Sequence, residues 1–173
     1  KKIKSNVLIG DIQDIHLEEN NFDVCFCLFH VINYLNENKE LTRFFEKISN
    51  SLVKGGKFIF DFWHTPSVYT IGTSSRKSFV EKDNYLIERI SKPSIFPEKN
   101  IIEVDFEFKI TNKSNNIILD NYHEKHLMRP FSIPEIEIFS AQFNLKPLSY
   151  YNNLTKEKPN LNHWDVCAVL NKI

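Results

Sequence analysis

In Gly55-Gly56-Lys57-Phe58-Ile59-Phe60-Asp61-Phe62-Trp63, a glycine pair closes what precedes it and launches a short run of apolar and aromatic residues. A run of that length, rich in Phe and ending in an acid and a Trp, predicts a buried β-strand rather than a helix. Upstream, Leu41, Phe44, Phe45, Ile48 and Leu52 recur at helical spacing, with Asn36 and Asn38 available as caps and Gly55 as the stop. Before that helix, Val24-Cys25-Phe26-Cys27-Leu28-Phe29 is apolar on both alternating faces, which suits a parallel strand covered by helices on both sides. Together these make one βαβ unit, whose right-handed crossover lays the helix over the sheet and brings Phe58 to Phe62 beside the earlier strand. Ligands in such sheets sit beyond the carboxyl ends of the strands. Asp11, Leu28 to His30 and Asp61 to Trp63 are therefore expected to face one crevice.

Outward from this unit the period changes. Val7-Leu8-Ile9-Gly10-Asp11 reads as an earlier short strand ending in an acid. Beyond Trp63, Ile102, Val104, Phe106, Phe108 and Ile110 alternate with Glu103, Asp105, Glu107 and Lys109, the signature of a half-solvated antiparallel strand. Asn112 to Asn116 reads as its turn and Ile117 to Leu127 as the returning strand, with weaker strand signals at Ser78 to Val80 and Tyr85 to Ile90. Ser132-Ile133-Pro134-Glu135 fits a capping box with Pro in the first turn, ahead of a stripe of Ile136, Phe139 and Phe143. Pro147 to Tyr151 and His163 to Leu170 then predict two final strands. The expected organisation is one domain over 1–173, with 67–129 as an antiparallel insertion that caps the crevice.

Composition limits the function classes. With 42% hydrophobic residues the 173-residue chain can bury one sizeable core. Its 22 basic and 22 acidic residues cancel, so no global field draws a nucleic acid or an acidic membrane, and neither is expected as a partner. No apolar run approaches the roughly 20 residues that span a bilayer. Cys25, Cys27 and Cys167 are too few and too irregular for a disulfide framework; with Cys25 and Cys27 assigned to opposite faces of one strand, they read as reduced thiols of a cytoplasmic protein. The chain begins on Lys1 rather than Met, so Lys1 is not expected to be the natural start.

The order of these segments resembles the middle and later part of class I S-adenosylmethionine-dependent methyltransferases of the small-molecule type, similar to amino-sugar N-methyltransferases. The resemblance implies an α/β fold, a partial Rossmann-like sheet with its N-terminal strands missing, in which 147–170 is the terminal antiparallel hairpin. That family holds its cofactor on a glycine-rich loop after the first strand. The only glycines here are Gly10, Gly55, Gly56 and Gly72, none in a G-x-G arrangement.

The resemblance implies S-adenosylmethionine as cofactor, with Asp11 bonding the adenine amino group, Ile12 presenting the next backbone amide, and Leu28, Phe29 and His30 lining the cofactor. The turn-capping alternative for Asp11 and the helix-entry alternative for His30 stay open. Tyr34, Asp61 and Trp63 are expected on the acceptor side, where an acid favours a cationic group and Trp63 offers a face to a cation or sugar ring. Tyr122-His123-Glu124-Lys125-His126 resembles the segment before the penultimate helix, and His123 or His126 is expected to be the base. On a strand they lie on opposite faces and make a poor metal pair, so no metal is expected. The function implied is methyl transfer to a small polar molecule, an amine or amino sugar among them, by a chain that admits a homodimer. The alternative is a non-catalytic binding module without a cofactor half.

Overall fold

The computed structural model describes residues 7–153 and 155–173. Among the described residues, eight strands form two sheets. The first has the order β1 (Phe22–Cys27), β2 (Leu52–Trp63), β8 (Asp165–Lys172), β7 (Leu145–Asn152); β1 runs parallel to β2, and β8 is antiparallel to both its neighbours. The second is an antiparallel meander of β3 (Arg76–Lys82), β4 (Tyr85–Phe96), β5 (Ile101–Asn112) and β6 (Ile118–Met128). Helix α1 (Asn38–Ser51) joins β1 to β2, α2 (Thr65–Ile71) follows β2, and α3 (Ile133–Ala141) precedes β7.

Alternation in β2 builds the core. Phe58, Phe60 and Phe62 point to one face and are fully buried. Phe44 and Phe45 of α1 meet Phe58 edge-on at 5.8 and 6.2 Å, and Phe139 of α3 stacks on Phe45 at 6.4 Å. Each buried Phe contributes about 1.5–3 kcal/mol of transfer free energy, so this aromatic layer dominates the packing that holds α1 and α3 to the sheet. The partial Rossmann-like sheet with an antiparallel insertion is as the sequence implied, and so are the Ser132 capping box and the terminal hairpin. In that box Ser132 Oγ accepts from Glu135 N at 3.3 Å, and Ser132 N donates to the Glu135 carboxylate at 3.4 Å.

Several local expectations are corrected. Val7 to Ile9 is not a strand, and Val7, Leu8 and Ile9 are 81%, 64% and 99% exposed, because no neighbouring strand pairs with them. β1 is an edge strand rather than a covered one: α1 and α3 lie on one face of the sheet, and Val24 and Phe26 are left exposed on the other. Cys25 and Cys27 share one face, as residues two apart on a strand must, and both pack against the core. Helix α1 starts from Glu37, whose N–H donates to the Glu40 carboxylate at 2.9 Å; Asn36 instead donates to Leu127 O, and Asn38 is already helical. The same helix ends at Ser51, and Gly55 lies inside β2 in the left-handed region (φ 82°), where the strand bends past a bulge opposite Phe22 and Val24. Helix α2 carried no signal in the sequence, its seven residues being too few for a periodic stripe.

Gly56 sits where β2 passes closest to other backbone. A Cβ there would lie 2.8 Å from Val53 O and 3.2 Å from Asp23 O, neither of which can rotate away. Gly56→Ala is expected to destabilise the fold by about 1–3 kcal/mol, the range of overpacking, measured as a lower urea midpoint with an unchanged m-value.

Candidate functional site

At the carboxyl end of β1 the chain turns through Phe29 (φ 63°) and His30 (φ 60°), two consecutive non-glycine residues in the left-handed region. Each such residue costs on the order of 1–3 kcal/mol. What holds the turn is Asp61 on β2: its carboxylate accepts from Phe29 N at 3.2 Å and from His30 N at 3.0 Å. Successive amides of a left-handed pair form a concavity that suits an anion, and a side-chain carboxylate fills it. Asp61 thus braces the turn.

The His30 ring lies between two acids. Nε2 is 2.8 Å from Asp165 Oδ1 and 3.6 Å from Asp61 Oδ2, and the ring sits 5.8 Å from that of Trp63. The Asp165 contact is short but out of line with the ring N–H. Burial works against charging His30, yet the Asp165 contact and the negative charges of Asp61 and Asp165 outweigh it, so its pKa lies above the ordinary 6.5. Sequence reasoning missed Asp165. The available signal was the antiparallel register of the terminal strand, which sets Asp165 opposite Trp63. Burial first, then the Asp61 charge, push the neighbouring Cys27 thiol up to about 12, which removes it as a nucleophile. Trp63 turns its other side to Trp164 (5.3 Å, edge-on) and packs on Val68, Ile102 and Val104, closing the seam between the sheets.

After His30, a single 3-10 turn (Val31–Tyr34) leads toward α1. Asp11, Ile12, Val31, Tyr34, Leu35 and Phe44 line a groove of about 450 Å³ there. Asp11 is exposed and caps a turn, one carboxylate oxygen accepting from Gln13 N at 2.8 Å, while Ile12 packs on the core. Leu28 is half-buried and Phe29 is 86% exposed. The Tyr34 hydroxyl reaches 2.6 Å from His126 Nδ1, and Glu124 lies 3.3 Å from Nε2 of the same ring.

His123 points the other way. It lies 3.7 Å from Asp105, on the face that carries the Lys77–Glu88, Lys92–Glu107 and Lys125–Glu103 ion pairs. The structure therefore brings together His30, Asp61, Trp63 and Asp165 in one cluster, and Asp11, Ile12 and Tyr34 in one groove that touches His126 through Tyr34. His123 joins neither. A further histidine, His64, is buried against Ser67 Oγ at 2.9 Å, and burial lowers its pKa. Among the described residues no group of three or more His, Cys, Asp or Glu is placed to hold a metal ion, and no helix is long and apolar enough to cross a membrane.

With this geometry in place, comparison with known proteins is informative. The sequence profile of the family described as "Methyltransferase domain" matches residues 1–60. An S-adenosylmethionine-dependent methyltransferase from Clostridium acetobutylicum superposes with a TM-score of 0.80 at 17% identity, over 98% of this chain and 65% of its own. CalS10, an amino pentose methyltransferase from Micromonospora echinaspora, gives 0.74 at 17% identity over 95% and 63%. The sugar N-methyltransferase KedS8 from a Streptoalloteichus species gives 0.72 at 18% identity over 92% and 60%. No curated protein sequence matches the chain. The chain spans less than two-thirds of the length of these three structures. It has the fold of class I S-adenosylmethionine-dependent methyltransferases, and the resemblance seen in the sequence is borne out.

The charge state of His30 gives a check on the cluster. Its folded pKa is raised, so its contribution to stability is full below about pH 6.5 and is lost as pH climbs through the raised value. NMR titration is expected to place the His30 midpoint above that of a free imidazole. Asp165→Asn should bring it down, and an unchanged midpoint would remove Asp165 as its partner.

Proposed function

We propose that this chain is the acceptor-binding and adenine-binding part of an S-adenosylmethionine-dependent methyltransferase that acts on a small polar amine, an amino sugar being the best match. The observation that carries the reading is the groove lined by Asp11, Ile12, Val31, Leu35 and Tyr34, with the Tyr34 hydroxyl on His126. Its apolar walls with an acid at the rim suit a nucleobase: Asp11 would accept from the exocyclic amine, and Val31 and Leu35 would flank the ring. The groove lining carries acids and no cationic side chain, so it suits the adenosine end of the cofactor rather than its amino-acid carboxylate. When bound, that cofactor supplies an electrophilic methyl group.

The chain's own residues do the remaining work. Asp61 fixes the turn that positions Val31 and Tyr34, while the aromatic seam around Trp63 excludes water from the junction of the two sheets. Tyr34 and His126 meet the acceptor side with a phenol and an imidazole, groups suited to moving a proton. Mixed-sign ion pairs on the outer face of the second sheet favour a small uncharged or singly charged acceptor over a polyanion. Three free thiols, with Cys27 and Cys167 both raised in pKa, suit a reducing compartment, and we place the protein in the cytoplasm. The names of CalS10 and KedS8 support an amino sugar as acceptor. The alternative of a non-catalytic module has no observation of its own in its favour.

Calorimetric titration tests the reading. The chain alone is expected to bind S-adenosylmethionine weakly, and a chimera carrying the glycine-rich first units of a structurally similar methyltransferase ahead of Val7 should bind it clearly. In that chimera Asp11→Ala should weaken binding by about 1–3 kcal/mol, the scale of a lost hydrogen bond to a buried partner. An unchanged affinity would take Asp11 out of the site.

A further inference from the structure

His126 is gripped at both ring nitrogens, and the two grips are chemically unequal. Nε2 lies 3.3 Å from the Glu124 carboxylate, and Nδ1 lies 2.6 Å from the Tyr34 hydroxyl. A carboxylate only accepts hydrogen bonds, so the ring hydrogen belongs on Nε2. A neutral imidazole so arranged presents Nδ1 as a bare acceptor, and the Tyr34 hydroxyl must then be the donor. The direction of the whole chain of bonds follows from Glu124.

The ring is also held sterically. Phe106 on β5 meets it edge-on at 5.0 Å and 85°, and the Tyr34 ring lies on another side at 5.7 Å. The charged or titratable groups facing it are Tyr34 from the 3-10 turn, Glu124 from its own strand, and Arg89 from β4, whose guanidinium lies 5.4 Å from the Phe106 ring centre. Lys125 lies on the opposite face, paired with Glu103.

We propose that Glu124 is a positioning residue that fixes the Nε2–H tautomer of His126, so that Tyr34 and His126 together carry the proton away from the methyl acceptor. The inference deepens the methyl-transfer reading and rests on it. In the step, an N–H bond of the acceptor ammonium breaks as an O–H bond forms at Tyr34, whose original O–H bond breaks as an N–H bond forms at Nδ1. The positive charge lost by the acceptor appears on His126, next to the Glu124 carboxylate. Burial, and then the Glu124 charge, raise the Tyr34 pKa, which keeps the phenol protonated and in its donating state between turnovers.

Long-range proton–nitrogen NMR correlation on the intact chain tests this without cofactor or turnover. The expected spectrum has His126 with Nε2 protonated and Nδ1 bare at a pH where the ring is neutral. Glu124→Ala should mix the two tautomers. Glu124→Leu, which keeps the bulk of the side chain but removes its acceptor, should mix them as well, whereas a purely packing role predicts the wild-type pattern in that variant. A wild-type ring protonated on Nδ1, or an unchanged tautomer in Glu124→Ala, would overturn the proposal. Cofactor binding by the chimera together with either of those results sinks the relay alone. The expected tautomer together with a chimera that fails to bind sinks the methyl-transfer reading, and the relay's catalytic role with it.

Discussion

The carboxylate of Asp61 is the constraint on which the site geometry depends. Two consecutive left-handed residues cost on the order of 1–3 kcal/mol each, and hydrogen bonds to a charged group return roughly 1.5–3 kcal/mol each. The balance is near zero, so the turn at Phe29 and His30 stands because Asp61 is there to be bound. From that turn follow the direction of Val31 to Tyr34, the wall of the groove, and the reach of Tyr34 to the second sheet. The residue expected from sequence on the acceptor side is also the bracket that holds this turn.

The junction of the two sheets is carried by a second buried polar group. Asn33 is fully buried, and every arm of it is used: Nδ2 donates to Arg129 O at 2.7 Å, Oδ1 accepts from Trp63 N at 3.3 Å, and its carbonyl accepts from Arg129 N at 2.7 Å. One side chain thus joins the end of β2, the end of β6 and the 3-10 turn. Arg129 extends the knot to Asn36 O, Asn38 Oδ1 and the Glu135 carboxylate, tying the starts of α1 and α3 to the same point. A buried network of this kind is rigid, because moving one member leaves another unpaired in a low-dielectric setting. That rigidity lets a hydroxyl on one sheet's turn address an imidazole on the other sheet.

What was legible in the sequence divides along physical lines. Patterns that repeat were readable: the Phe58, Phe60 and Phe62 alternation, the helical stripe from Leu41 to Ile48, and the two-residue repeat from Ile102 to Ile110 each state a face many times over. Single-residue features were not. The left-handed turn at Phe29 and His30 has no glycine to announce it, the cap at Glu37 lies between two asparagines that look better suited, and α2 is too short to show a period. β1 was misjudged for another reason: its composition is that of a covered strand, but only one of its faces is covered. Asp165 was hidden because its partnership with His30 exists only through strand register, across more than 130 positions of sequence.

Three histidines show how environment divides one residue type into different roles. His64 is buried beside a neutral hydroxyl, and its lowered pKa leaves it an uncharged hydrogen-bonding group in the α2 junction. His30 lies between two carboxylates that favour its charged form against the cost of burial, so its pKa lies above the ordinary value. His126 has one carboxylate and one phenol, placed on different nitrogens, so one lone pair remains and it is aimed along a hydrogen bond toward the groove. A base needs an available electron pair within reach of the acceptor before it needs any particular pKa. On the proposed reading it is His126, reached through the Tyr34 hydroxyl, that meets this criterion.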